Sequence, residues 1–314
     1  MVICMHNSDC QGILWGHRHR CIIIVDDWCP VRGIAHRFTF HMDAFLFAKG
    51  ARVTNANHSI VMQMWIWSAL AGLDLALLKN VRENETEWSN TSVYVPLCMT
   101  ALYFIMIVEG CHWMRFREPF NMKTGMMVYN VYQTAMNAFM VAGFVKEVQS
   151  SGMQWWGSGI DRSAQGRTLG FLLYVHYHNK YVEYLDTVFM VLRKKDRQIS
   201  CLHVYHHVLM TWSWFAVLKW GPGGDAWFGA CCNSFIHILM YSYYLLRTLD
   251  IPCPWKKILT QMQMLQFGLC FGHAVYVGLF CDAGTYPCFL TTLQMFVMVN
   301  MLVLFGNFYQ QQYT

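Results

Sequence analysis

The chain has 314 residues, of which 55% are hydrophobic and 16% aromatic, while only 13% are charged. Soluble domains carry about 25% charged residues, so this composition argues against a soluble globular protein. The formal net charge is only +5, and the sequence has no basic stripe with interleaved aromatic residues. A typical nucleic-acid-binding protein is therefore excluded.

Residues 1–92 form an amino-terminal extension whose structure the sequence leaves open. The apolar run 60–78 is interrupted by Asp74, which favours an interfacial helix over an extra membrane helix. Asn84 and Asn90 begin glycosylation sequons. If these sequons are used they place the following segment in the lumen, and chance occurrence is the alternative.

From residue 93 onward, apolar blocks of about 20 residues recur, the length at which a helix crosses a bilayer. The sequence predicts an all-α polytopic membrane domain over 93–314, a seven-transmembrane-helix bundle. The predicted spans are 93–113, 126–146, 166–192, 199–219, 226–246, 257–280 and 288–309. The connecting segments alternate in Lys and Arg content, which predicts a lumenal amino end and a cytosolic carboxyl end for the domain. A disulfide between Cys281 and Cys288, in one lumenal loop, stays open.

The third predicted span carries three charged residues at intervals of three, Lys180, Glu183 and Asp186. This spacing places them on one helix face. Charges at membrane depth must be paired or line a wet cavity. The alternative to a functional role is a buried ion pair that fixes helix packing.

The fourth predicted span contains the most informative motif, His203-Val-Tyr-His206-His207. Its histidines stand at i, i+3 and i+4, so their rings project from one face. Three imidazoles in an apolar helix indicate metal binding or proton and nucleophile chemistry, although satisfied core histidines are the alternative.

Polar stripes continue on the fifth and sixth predicted spans. The fifth carries an amide, an imidazole and two phenols, and the sixth carries two amides: Asn233, His237, Tyr241, Tyr244, Gln263 and Gln266. Interhelical hydrogen bonding is the structural alternative. All these stripes fall toward the cytosolic halves of their helices, which predicts one shared cavity open to the cytosol.

The histidines also decide between two chemistries. Membrane di-iron enzymes use several histidine boxes, whereas this chain has one His-His pair in its core, and Lys180 beside it would repel a cation. We therefore expect no metal and no cofactor. Neutral imidazole is a good nucleophile toward a thioester, so the cluster favours acyl transfer.

Four segments carry a family resemblance: KYVEYLDT at 180–187, HVYHH at 203–207, NSFIHILMYSYY at 233–244 and TQMQMLQ at 260–266. Together they resemble the ELO family of very-long-chain fatty acid elongases. The resemblance covers roughly 93–309 and includes REPF at 117–120. It implies an endoplasmic-reticulum enzyme with an acyl tunnel, a 3-oxoacyl-CoA synthase that condenses acyl-CoA with malonyl-CoA and releases CO2 and CoA.

The resemblance also implies roles for individual residues. His206 would attack the acyl-CoA thioester and form an acyl-imidazole, and His237 would orient the malonyl unit or stabilise its enolate. His203 and His207 would set the tautomer and shuttle protons. Asn233 and Gln263 would stabilise oxyanions, and Lys180, Glu183 and Asp186 would shape the cavity. Tyr241, Tyr244 and Gln266 would support the site.

Further expectations concern substrate and partners. The tyrosine of HVYHH resembles the branch acting on polyunsaturated chains, and PGGD at 222–225 resembles microalgal or protist members. These features predict a C18–C20 polyunsaturated acyl-CoA. The implied partners are the bilayer, a 3-ketoacyl-CoA reductase, a 3-hydroxyacyl-CoA dehydratase and an enoyl-CoA reductase, with a homodimer left open. The rival interpretations are a seven-helix receptor or transporter and an inactive elongase-like scaffold.

Overall fold

The computed structural model describes residues 91–161, 163, 166–281 and 286–313. Outside these residues lie the predicted extension 1–92, apart from 91–92, together with its predicted helix 60–78 and the sequons at Asn84 and Asn90. The domain boundary predicted at residue 92 is therefore not tested. The described residues form helices and contain no β-strand, as the all-α prediction requires. The α-helices are α1 (Tyr94–Met114), α2 (Lys123–Ser151), α3 (Arg167–Val182), α4 (Tyr184–Leu192), α5 (Cys201–Trp220), α6 (Ala226–Thr248), α7 (Lys256–Phe280) and α8 (Cys288–Tyr313).

Six of the seven predicted spans correspond to single helices, and the third is divided. The predicted segment 166–192 forms α3 and α4, which meet at Glu183. There the Asp186 N–H bonds to the Glu183 carbonyl at 3.1 Å, a tightened i→i+3 turn that interrupts the α-helical ladder. The tight turn leaves Lys180, Glu183 and Asp186 beside the break.

Local signals explain where two of the helices begin and end. The Ser200 hydroxyl accepts a hydrogen bond from the His203 N–H at 3.2 Å and caps the start of α5. Gly152 ends α2 with φ of 68°, a left-handed conformation that favours glycine. The helix therefore extends beyond the predicted end at residue 146, and it also begins before the predicted start at 126, at Lys123.

Among the described helices, three are long and apolar enough to cross a membrane by length and composition: Tyr94–Met114, Lys256–Phe280 and Cys288–Tyr313. Their outward surfaces are apolar, with Leu102 58% and Leu279 72% exposed. Large exposed apolar surface is unfavourable in water and suits lipid contact. Polar stripes run along α7, one of these three, and along several of the remaining helices, and the count of seven spans stays a prediction.

The helices pack through interhelical apolar clusters around the polar stripes. The most extensive contacts are between α2 and α6 and between α7 and α8, while α3 contacts α5, α6 and α2. Gly143 on α2 permits one close approach, since a Cβ there would lie 2.7 Å from Leu172 Cδ2. The structure has no disulfide between Cys281 and Cys288.

Candidate active site

The predicted polar stripes of α3 and α6 meet at a buried ion pair. Lys180 Nζ donates to Glu183 Oε1 and to Asn233 Oδ1, each at 2.8 Å. Lys180 and Glu183 are each only 2% exposed. Buried charges require such partners, because an unpaired ion is costly to remove from water. The pairing therefore explains how both charges are accommodated and why the two stripes face each other.

His237 lies beside the same carboxylate. Its Nδ1 is 3.2 Å from Glu183 Oε1, although the ring N–H is not aimed well enough for a hydrogen bond. Asn179 Nδ2 approaches that oxygen from α3 at 3.3 Å. Glu183 thus faces a cation, an amide and an imidazole, and the sequence-predicted residues Lys180, Glu183, Asn233 and His237 form one connected group.

Asp186 belongs to a second group, one turn further along. The Tyr241 hydroxyl donates to Asp186 Oδ2 at 2.8 Å. Tyr129 of α2 lies against both helices, with its hydroxyl 3.3 Å from that of Tyr241. The hydrogen-bond donor to Asp186 is therefore a phenol of α6, whereas Lys180 donates its hydrogen bonds within the first group. Tyr244 is half-buried, with its ring centroid 6.0 Å from that of Tyr241.

The three histidines of α5 are close together, as their spacing predicts. The ring centroids of His203 and His207 are 4.5 Å apart, and those of His206 and His207 are 5.7 Å apart. His203 Nε2 lies 2.7 Å from Thr187 Oγ1 of α4. His207 is buried against the aromatic ring of Tyr184, at a centroid distance of 5.8 Å.

His206 differs from its neighbours in what surrounds it. It is half-buried, whereas His207 is buried. Its Nδ1 lies 3.3 Å from Met301 Sδ of α8. The ring is also close enough to His237, Lys180 and Glu183 to interact with them electrostatically. The imidazoles of α5 and α6 thus occupy one region, with the α3–α4 break beside them.

The two amides of α7 are not connected to the histidines by the contacts of the described residues. Gln263 Nε2 is 3.8 Å from Met240 Sδ, and Gln266 Nε2 is 3.9 Å from Cys270 Sγ. Sulfur is a weak acceptor, so both contacts are weak. The predicted oxyanion role of Gln263 has no hydrogen bond to the site in support.

Several site residues were not predicted from the sequence. Gln133 of α2 is fully buried and accepts a hydrogen bond from Asn179 Nδ2 at 2.9 Å. Tyr129, Gln133 and Asn137 recur every four residues, a polar stripe on the second span that could have been recognised. Thr187 ends a quoted motif, but Met301 carries no such signal, since a methionine in an apolar helix is ordinary.

A third polar contact ties the α2–α3 loop to the start of α6. The Asp225 carboxylate accepts hydrogen bonds from the backbone N–H of Gly157 at 3.0 Å and of Ser158 at 2.9 Å. Burial raises the pKa of Asp225 above 3.8, against the lowering effect of these two donors. Gly157 has a φ of 82°, a left-handed conformation suited to glycine.

The arrangement places an imidazole cluster next to a buried charge network. Within the part of the chain that the structure describes, no group of three or more His, Cys, Asp or Glu residues could hold a metal ion. His206 and His207 both interact electrostatically with Lys180 and Glu183, and of these two imidazoles His206 is the half-buried one. Nucleophilic attack on an activated acyl group is the chemistry that such an imidazole supports.

Comparison with known proteins connects this geometry to a family. The profile of the ELO: GNS1/SUR4 family matches residues 88–314. Very long chain fatty acid elongase 4 of Homo sapiens is 32% identical over 266 residues, covering 83% of this chain and 81% of the human protein. Elongase 5 of Xenopus tropicalis is 35% identical over 232 residues, or 72% and 78% of the two chains. Elongase 2 of Rattus norvegicus is 36% identical over 231 residues, or 72% and 82%.

Proposed function

The chain belongs to the ELO: GNS1/SUR4 family, and from this membership and the histidine geometry we propose that it is the condensing enzyme of fatty acid elongation. It would join a long-chain acyl-CoA to malonyl-CoA and give a 3-oxoacyl-CoA, CO2 and CoA. The names of its relatives support elongation of very long chains. The C18–C20 polyunsaturated substrate rests on the sequence resemblance alone.

The proposed setting is the endoplasmic-reticulum membrane. In the part of the chain that the structure describes, three helices have the length and composition of membrane spans. We extend this to seven spans, because α2, α5, α6 and the α3–α4 pair carry polar residues that would line a tunnel for the acyl chain. The amino end of this domain would be lumenal and its carboxyl end cytosolic.

One contact carries the assignment of His206 as nucleophile. Met301 Sδ has no hydrogen to donate, so a hydrogen bond at this 3.3 Å contact requires His206 Nδ1 as the donor. A neutral ring that holds its proton on Nδ1 has its lone pair on Nε2. That nitrogen can attack the thioester carbon without prior deprotonation, forming the acyl–nitrogen bond as the CoA thiolate leaves and takes up a proton.

The second half-reaction would use the α6 residues. Malonyl-CoA loses CO2, and the resulting enolate carbon attacks the acyl group and releases the Nε2 of His206. Asn233 accepts from Lys180 through its oxygen, which leaves its amide N–H groups for a developing oxyanion. His237 would face the malonyl unit. Acyl-CoA and malonyl-CoA are the proposed ligands, and no step uses a metal or a cofactor.

The cycle needs further enzymes after condensation. A 3-oxo group must be reduced, dehydrated and reduced again before the chain can be extended further. The proposed partners are therefore the 3-ketoacyl-CoA reductase, the 3-hydroxyacyl-CoA dehydratase and the enoyl-CoA reductase of the elongation cycle. A homodimer is a further proposal.

The test is condensation by the purified chain. Wild-type protein in detergent receives a polyunsaturated C18 acyl-CoA and malonyl-CoA, and the expected products are 3-oxoacyl-CoA and stoichiometric CO2. His206→Ala should abolish both products, while exposed His112→Ala should retain them. Failure of the wild type to form product would contradict the proposal and favour the scaffold or transporter alternatives. Full activity of His206→Ala would overturn the assignment of His206.

A further inference from the structure

A chain of three side chains links the histidine cluster to the first helix. The Tyr103 hydroxyl of α1 lies 2.9 Å from Thr187 Oγ1, which lies 2.7 Å from His203 Nε2. Thr187 is fully buried and Tyr103 is only 2% exposed. The three groups come from α1, α4 and α5, so they form a contact between elements that are distant in sequence.

The direction of these hydrogen bonds follows from the hydrogens available. Among the contacts of the described residues, Thr187 is the only hydrogen-bond partner of the Tyr103 hydroxyl. If Thr187 donated to Tyr103, the buried phenol would keep a hydrogen with no acceptor, which is unfavourable. Tyr103 therefore donates to Thr187, and the single hydrogen of Thr187 goes to His203 Nε2. That leaves His203 with its own proton on Nδ1.

We propose that Thr187 and Tyr103 are positioning residues, which hold His203 in its Nδ1–H tautomer and fix the orientation of its ring. This series of hydrogen bonds ends at a buried phenol. It therefore holds a proton in place and gives that proton no route to solvent. This inference rests on the proposed condensing activity. It adds to the site a residue of α4 and one of α1 that are not among the predicted catalytic or supporting residues.

The effect of this anchor reaches the nucleophile by packing. The His203 ring meets that of His207 edge to face, at 4.5 Å and an interplanar angle of 73°. His207 in turn meets His206 at 5.7 Å and 73°. A ring flip or tautomer change at His203 would therefore change both the polar edge and the packing presented to its neighbours. We expect such a change to lower the rate of the chemical step and to leave substrate binding unchanged.

The test replaces the hydroxyl without changing the shape. Thr187→Val removes the donor to His203, and Thr187→Ser keeps it. Thr211→Val is the matched control, because Thr211 is also fully buried and bonds a tyrosine hydroxyl, Tyr184, at 2.8 Å, but contacts no histidine through that bond. The readouts are kcat and KM for the acyl-CoA, with the melting temperature of each variant.

We expect Thr187→Val to lower kcat roughly tenfold, the rate equivalent of one neutral hydrogen bond, with KM unchanged. Thr187→Ser should recover most of the rate, and Thr211→Val should keep it. Tyr103→Phe should give a smaller loss, since Thr187 can still donate; it serves as the second variant if Thr187→Val does not fold.

Three results would overturn the inference while leaving the proposed function intact: equal kcat in Thr187→Val and Thr211→Val, a change in KM alone, or no rescue by Thr187→Ser. If Thr187→Val is unfolded, wild-type kcat in Tyr103→Phe would overturn it as well. A wild-type chain without condensing activity would instead refute the proposed function, and the inference would fall with it.

Discussion

The buried pair of Lys180 and Glu183 gives a prediction whose size can be worked out from the structure. Replacing Lys180 by Met removes the cation 2.8 Å from a carboxylate that is 2% exposed. Of its contacts with described residues, Glu183 then keeps the Asn179 amide at 3.3 Å and a poorly aimed imidazole. Breaking a buried pair by removing one partner costs about 3–5 kcal/mol, so Lys180→Met should lower the melting temperature by roughly 6–20 °C. The double variant Lys180→Met/Glu183→Gln should regain most of that loss, because it also removes the uncompensated charge.

The assay is thermal unfolding of detergent-solubilised protein, followed by intrinsic tryptophan fluorescence. Lys123 and Asp250 form the control pair, with Nζ and Oδ2 2.6 Å apart but side chains 52% and 81% exposed. Exposed pairs contribute little, so Lys123→Met should leave the melting temperature unchanged. A melting temperature for Lys180→Met as high as that of Lys123→Met would refute the reasoning. So would a double variant less stable than Lys180→Met.

Three further predictions address other contacts. Met301→Leu removes the acceptor for His206 Nδ1–H and should lower kcat several-fold. The control variant Met298→Leu should keep the wild-type kcat. Equal kcat values for the two variants in steady-state assays would contradict this prediction. Tyr241→Phe removes a hydrogen bond to a carboxylate and should lower the melting temperature, at a cost of about 1.5–3 kcal/mol, whereas half-buried Tyr243→Phe should not. Because burial raises the folded-state pKa of Asp225, its contribution is fully present below the unfolded pKa and is lost as pH rises through the folded pKa. The melting temperature of the wild type relative to Asp225→Asn should therefore fall as pH rises through that range, and a difference that stays constant or increases would contradict the assigned cause.

Much of the helical fold could be predicted, because apolar blocks of span length leave few alternatives. The helix ends were less predictable. α2 continues to Ser151 because polar residues near the end of a helix do not terminate it. The residue that terminates α2 is Gly152. The division at Glu183 was missed because the polar spacing of Lys180, Glu183 and Asp186 reads as one continuous helix.

The site was predictable within each helix and less so between helices. The i, i+3, i+4 spacing placed His203, His206 and His207 together, and Lys180 did pair with Glu183. Partners on other helices depend on tertiary packing, which one sequence does not encode in any local pattern. Tyr241 as the partner of Asp186, and Met301 as the acceptor for His206, are of this kind.

The most direct test of the account is to look for the covalent intermediate. Purified protein is incubated with a polyunsaturated C18 acyl-CoA in the absence of malonyl-CoA, and its intact mass and proteolytic peptides are measured by mass spectrometry. The account predicts CoA release together with one acyl group per chain on the peptide containing His206, and loss of that group when malonyl-CoA is added. Full turnover with no acyl adduct, or an adduct on another residue, would contradict it.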